Sequence, residues 1–262
     1  MKTLPTVGVV SMLLIWGVSL LAGYDVVADV DPGRAGALPS TAHWLGCDHL
    51  GRDVMWRMVT ASEAFVGPGV LACLVCLIPG ITLGGLSGWL GGASASVLRY
   101  LFSVIASLPR FVLVLLICAI YGDSPTILAL AAGLAYTPVL GEAIAGRIEH
   151  LRRTEFVQAA QAHGMSDATV LLRELLWSNC RALIGRHLLY LFGYFLILET
   201  TLSYIGGFGV EEPQPSWGNM LVFEFGISEG NLLAWLAPAV AIWLTVLTTT
   251  LLAGQLTEVS NG

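Results

Sequence analysis

Long apolar runs recur along the chain, at about residues 4–23, 65–90, 98–121, 125–146, 182–204 and 231–253. A bilayer core about 30 Å thick takes roughly 20 apolar residues of helix, so each run has spanning length. Composition supports this reading. Only 11% of the residues are charged and the mean hydropathy is +0.78, whereas a soluble domain carries about 25% charged residues to cover its surface. With a net charge of -6, no basic patch is present to track a nucleic-acid backbone. The sequence therefore predicts an all-α membrane protein of six transmembrane helices. Met1-Lys2-Thr3 and the first apolar run are expected to form a retained helix, since no small-residue cleavage site follows.

Gly122-Asp123-Ser124-Pro125 favours non-helical backbone and predicts a tight turn between the third and fourth spans, which then form a hairpin. Sidedness follows from the basic residues. With a cytoplasmic N-terminus, Lys2, Arg99, Arg147, Arg152, Arg153, Arg173, Arg181 and Arg186 fall inside, and Arg34, Arg52 and Arg57 fall outside. Both termini are then expected in the cytoplasm. Two outer segments, 24–64 and 204–230, and one inner segment from 147 to 181 are long enough to do more than connect.

Within the inner segment, Phe156, Ala159, Ala160 and His163 recur at helical spacing on one face. Gly164 stops that helix, and Ser166 or Asp167 caps a second one through Trp177. The expectation is a helix-turn-helix elbow over residues 152–177. Its Gln158-Ala159-Ala160 followed by Gly164 resembles the EAA loop of binding-protein-dependent ABC importer permeases. His43-Trp44-Leu45-Gly46-Cys47-Asp48-His49-Leu50-Gly51-Arg52-Asp53 resembles the stretch before the second span in the dipeptide, oligopeptide and nickel branch of that family. Leu202-Ser203-Tyr204-Ile205-Gly206, followed by Pro213-Gln214-Pro215-Ser216-Trp217-Gly218, is similar to the same branch.

The resemblance implies a type I ABC importer permease fold in a bacterial inner membrane. Residues 1–64 would hold the first helix and a periplasmic segment, 65–254 the transmembrane domain, and 255–262 a short tail. It implies partners: a second homologous permease, one or two ATPases, and a periplasmic or lipid-anchored solute-binding protein carrying small peptides, nickel or metal chelates. Glu155, Phe156, Gln158, Ala159, Ala160, His163 and Gly164 would couple to the ATPase. ATP and Mg would reside on the partners, with no cofactor on this chain. The family usually has Glu at Gln158 and Pro at Trp177, so the following helix is expected to enter the membrane at another angle, because Trp keeps the donor that Pro lacks.

A P-loop requires a lysine after its glycines, and the only lysine is Lys2. If transport consumes ATP, the force arrives from a partner. Gly80, Gly84, Gly88 and Gly92 recur every fourth residue, a stripe for close helix packing, and Pro79 is expected to bend that helix. Arg110, Glu142 and Glu199 are ionisable residues in spans and hence candidates for a translocation path, with Arg110 either snorkelling or pairing with Glu142. The same residues would serve an ion-coupled secondary carrier. Gly85-Leu86-Ser87-Gly88 resembles the nucleophile string of rhomboid proteases, with His187 as the base it would need. His43, Cys47, Asp48 and His49 admit a metal site, but their spacing fits no usual zinc pattern and a turn is the better reading. The Pro213–Trp217 stretch reads as an outer docking surface, with Trp217 at headgroup depth.

Overall fold

The computed structural model describes residues 17–18, 29–223 and 231–261. The first apolar run, 4–23, lies outside these residues apart from Gly17 and Val18. The elements that follow are α1 (Val54–Thr60), α2 (Val66–Leu90), α3 (Gly92–Ala106), α4 (Arg110–Tyr121), α5 (Pro125–Arg152), α6 (Glu155–Ala162), α7 (Asp167–Ile205), α8 (Trp217–Phe223) and α9 (Leu232–Asn261). Four stretches are long and apolar enough to cross a membrane: Val54–Leu90, Pro125–Arg152, Asp167–Ile205 and Leu232–Leu256.

The expected third span, 98–121, is instead two helices. α3 and α4 meet at 76° across Ser107-Leu108-Pro109. Pro109 supplies no backbone N–H to continue α3, so its fixed φ starts α4 afresh. Counting this bent pair as one gives five candidate spans among the described residues. The turn after α4 follows the sequence expectation: Gly122 takes φ +103°, and the Ser124 hydroxyl accepts from the Ile127 N–H at 3.3 Å ahead of Pro125 at the first helical position.

The centre of the bundle is α5, which buries 67% of its most apolar stretch against 22% for α9. With its neighbour α2 it makes the most extensive helix pair among the described residues. The reason is side-chain size. A Cβ added at Gly84 would lie 2.5 Å from the Gly141 carbonyl oxygen, one at Gly88 2.7 Å from that of Ala145, and one at Gly133 2.5 Å from that of Ala72. Both helices thus carry small residues at the contact, which brings backbones together where lipid supplies no hydrophobic drive. Gly92 does not extend the stripe: it has φ +59°, nothing within 4 Å of an added Cβ, and opens α3 after the break at Gly91.

Two apolar cores result. One, at the end where residues 29–64 and 204–223 gather, holds Phe65, Phe195, Leu202, Trp217 and Met220. The other, near the elbow, holds Ile144, Ile148, Leu151, Val157, Val170 and Leu175.

Candidate functional site

The elbow is built as a short helix turned back on the bundle. α6 begins after Thr154 and ends at Gly164, whose φ is +83°. The Met165 N–H donates to the Ala160 carbonyl at 3.2 Å and the Gly164 N–H to the Gln161 carbonyl at 2.9 Å. That pair of bonds is the Schellman closure, which needs a left-handed residue where Gly164 stands. Gln161 then reaches forward, its amide donating to Asp167 at 2.9 Å, and Ser166 caps α7 by accepting from the Thr169 N–H.

The anchoring side chain is Val157, only 1% exposed, and Ala160 is half-buried against the same core. The proposed coupling residues Glu155, Phe156, Gln158, Ala159, His163 and Gly164 are all exposed. Phe156 keeps 42% of its surface open. The face of Phe156, Ala159 and His163 therefore points away from the bundle.

Beyond the elbow, α7 runs without interruption from Asp167 to Ile205, 39 residues in all. The separate second helix ending near Trp177 and the span at 182–204 are thus one element. Val170–Cys180 within it is π-helical, and the Ser178 hydroxyl and Asn179 amide donate to carbonyls five residues back, on Arg173 and Glu174. Without a proline at Trp177 the backbone bonds pass straight through, and Trp177 lies 71% exposed on the surface.

The opposite end is closed by charge. Asp48, Arg52 and Arg57 are buried, and Glu212 comes in from the segment between α7 and α8. Arg52 Nε donates to Asp48 Oδ2 at 2.6 Å, and its Nη1 to Glu212 Oε2 at 2.9 Å. Arg57 Nη1 and Nη2 bond Asp48 Oδ2 and Glu212 Oε1, both at 2.5 Å. Burial alone would raise the Asp48 carboxyl, but Arg57, with bonds from the Arg52 backbone and guanidinium, outweighs it and holds Asp48 below the ordinary range. Burial likewise works against the Arg52 charge, and Glu212 and Asp48 reverse that and raise its pKa.

Bonds and close packing in this loop account for His43, Asp48, Gly51 and Asp53 of the His43–Asp53 string. Asp48 also accepts the Leu50 and Arg52 N–H groups, at 2.8 and 2.9 Å. Asp53 caps α1 through the Trp56 N–H and bonds His43 Nδ1 at 2.6 Å. Gly51, at φ +77°, passes so near the Asp31 carbonyl that any Cβ would collide with it. His43 and Asp48 are spent on these bonds, and no group of three metal-ligating side chains occurs among the described residues.

Other expectations are corrected by the structure. Trp217 is not an interfacial anchor. It is 4% exposed, donates its indole N–H to the Met58 carbonyl at 3.0 Å and packs on Phe65 at 4.5 Å. Ser216 and Asn219 cap α8 reciprocally, each accepting the other's N–H, while Gly218 lies against the Thr200 backbone. The stretch is an internal latch.

Arg110 does not pair with Glu142. Its guanidinium lies over the rings of Tyr136 and Tyr194, 5.4 and 5.6 Å from their centroids, while Glu142 is exposed elsewhere on α5. The break at Pro109 turns the start of α4 toward those rings. Glu199 is fully enclosed and accepts from the Ser203 hydroxyl at 2.7 Å, so it lines no opening. Ser87 and His187 form no catalytic pair: the Ser87 hydroxyl faces the Ala95 carbonyl at 3.5 Å and His187 Nδ1 is bound to the Leu183 carbonyl at 2.8 Å.

The sequence did not lead to the four-charge cluster, because its carboxylate at Glu212 is 160 residues from Arg52. Two arginines five positions apart beside an aspartate, in a chain with few charges, were the available signal.

Comparison with known proteins agrees with this architecture. Residues 80–258 match the model of the binding-protein-dependent transport system inner membrane component. The chain is 29% identical over 240 residues to the glutathione transport system permease protein GsiD of Pectobacterium atrosepticum, covering 91% of this chain and 78% of that protein. It is 29% identical to the dipeptide transport system permease protein DppC of Alkalihalophilus pseudofirmus, over 84% of this chain and 72% of the relative. A third relative, the probable D,D-dipeptide transport system permease protein DdpC of Escherichia coli, is 30% identical over 70% of this chain and 61% of its own length. With a match that extends from the glycine stripe through the elbow to α9, the chain belongs to the family of binding-protein-dependent inner-membrane permeases, as a multi-pass transport subunit and not an enzyme.

Proposed function

We propose that this chain forms half of the membrane pore of an ATP-driven importer of small peptides. In this reading a solute-binding protein delivers cargo to the end closed by Asp48, Arg52, Arg57 and Glu212. ATPase subunits grip the elbow from Glu155 to Gly164, on the cytoplasmic side. The relatives named for glutathione and dipeptide transport favour a peptide over nickel as cargo.

The observation that carries the coupling role is the outward face of α6. A chain with one lysine, Lys2, has no P-loop to supply its own force, and this short helix presents Phe156 and Ala159 outward while Val157 fastens it behind. α7 then gives a displaced elbow a lever about 58 Å long, at about 1.5 Å per helical residue. Its far end touches the latch at Gly218 through Thr200. ATPase closure would rock α7, and with it the bundle, between inward- and outward-open forms.

The test is purification of the assembled transporter carrying Ala160→Glu or Gly164→Arg. Loss of both ATPase copurification and uptake, with membrane insertion intact, is the expected result. Full uptake in either variant would overturn the coupling role. Concentrative uptake by this subunit alone, in vesicles free of any ATPase, would overturn the importer reading as a whole.

A further inference from the structure

At the elbow end, the close of α2, the start of α3 and the close of α5 leave a recess of about 750 Å³, within the roughly 300–1,000 Å³ usual for small-ligand sites. Ser96, Arg99, Glu149, Arg152, Arg153 and Gln158 line it. Three guanidinium groups against one carboxylate leave two positive charges in excess. Glu149 accepts from Arg99 at 2.6 Å and from Arg153 at 2.9 Å, while Arg152 donates to the Trp89 carbonyl and lies 5.7 Å over its indole ring. Arg152 thus has no carboxylate partner among the described residues. Each guanidinium carries five N–H donors, so most of those on Arg99 and Arg153, whose side chains are 47% and 78% exposed, are unused and face open space.

The position of the recess says what would use them. It lies where apolar α2 and α5 end, beside Trp89, and a tryptophan at such a place marks headgroup depth. A ligand that puts a phosphate among these arginines at the end of spanning helices matches the recess, as basic pockets between such helices do for anionic headgroups.

We propose that this recess binds the phosphate of an anionic glycerophospholipid. Because Gln158 belongs to α6, the bound lipid would touch both the bundle and the elbow. Any effect on ATPase coupling rests on the function proposed above; the binding itself does not.

The experiment is native mass spectrometry of the assembled transporter, stripped in neutral detergent and titrated with phosphatidylglycerol, phosphatidylethanolamine or inorganic phosphate. Phosphatidylglycerol is expected to be retained at least about tenfold better than phosphatidylethanolamine, and Arg99→Gln and Arg153→Gln are each expected to weaken retention about fivefold. Arg173→Gln, exposed but outside the recess, should leave retention unchanged. Should an arginine variant fail to assemble, Ser96→Phe fills the recess without removing charge and should weaken phosphatidylglycerol retention alike. Equal retention of the two lipids, an Arg173→Gln loss as large as that of Arg99→Gln, or displacement of lipid selectivity by saturating inorganic phosphate alone would each overturn the proposal.

Discussion

At one end of the bundle Arg52 and Arg57 are buried against Asp48 and Glu212. At the other, Arg153, Arg173 and Phe156 stand in the open and α6 is held mainly by Val157. The same chain thus places charge inside where two segments far apart in sequence meet, and outside where a short helix stands exposed. A buried ion cluster has a large desolvation cost and contributes little net stability, but breaking it strands an uncompensated buried charge. An element with few buried contacts and a solvated surface opens at low free energy. The first kind of end keeps its shape, and the second opens more readily.

The contrast breaks most readily at the buried arginine. Arg57→Ala leaves Asp48 and Glu212 facing each other with one guanidinium fewer, and removing one member of a buried pair costs about 3–5 kcal/mol. Arg173→Ala, at an exposed site of the other end, is expected to change stability by less than about 0.5 kcal/mol. Thermal unfolding of the two variants in the same detergent measures the difference. Equal Tm values would mean that the cluster does not hold the two segments together.

Acid provides the next largest effect, at the same end. Because the folded Asp48 carboxyl lies below its ordinary value of 3.8, the unfolded chain takes up a proton first as pH falls. Its contribution is complete above that value and declines as pH drops through it toward the depressed folded value. Unfolding curves between neutral pH and pH 3 should show this loss, and Asp48→Asn should flatten it. An unchanged acid limb in Asp48→Asn would locate the sensitivity in other carboxylates.

Sequence pattern carried the helical architecture and the elbow, because apolar length, the Gln158-Ala159-Ala160 string and Gly164 are local signals. It also carried one half of the α2–α5 contact. The other half, Ala129, Gly133, Gly141 and Ala145 at multiples of four, was equally legible once a partner for Gly84 was sought. Pro109 was a visible breaker inside an apolar run that spanning length alone made look continuous. The π-helical join at Val170–Cys180 was not legible, since no residue type marks i to i+5 bonding. Nor was the charge cluster, whose geometry depends on Glu212 arriving from a distant segment, or the burial of Trp217, whose indole N–H finds a carbonyl only after folding.

At the elbow the expected changes are smaller and local. Val157→Ala removes two methyl-sized groups from a side chain 1% exposed, about 1.5–2 kcal/mol of burial at roughly 0.8 kcal/mol each. Since α6 is fastened chiefly there, amide exchange over Gln158–Ala162 should quicken about ten- to thirtyfold while that of α5 stays as it was. Exchange that quickens throughout the bundle would show the elbow to be part of the common core and would remove the contrast between the ends.

The smallest structural change separates presentation from packing most cleanly. Phe156→Ala alters a ring 42% exposed on the face of α6 turned from the bundle, so its effect on Tm should stay within about 0.5 kcal/mol. If that ring enters a pocket on an ATPase, its truncation should weaken association by about 2 kcal/mol or more, the scale of an aromatic anchor at an interface. Titrating purified ATPase onto the reconstituted permease, wild type against Phe156→Ala, reads the ratio directly. A drop of about thirtyfold in affinity with an unmoved Tm is expected. Unchanged affinity would restrict the coupling surface to Ala159, Ala160 and the Gly164 turn. A large fall in Tm would mean instead that Phe156 serves the bundle and that the elbow is held from both faces.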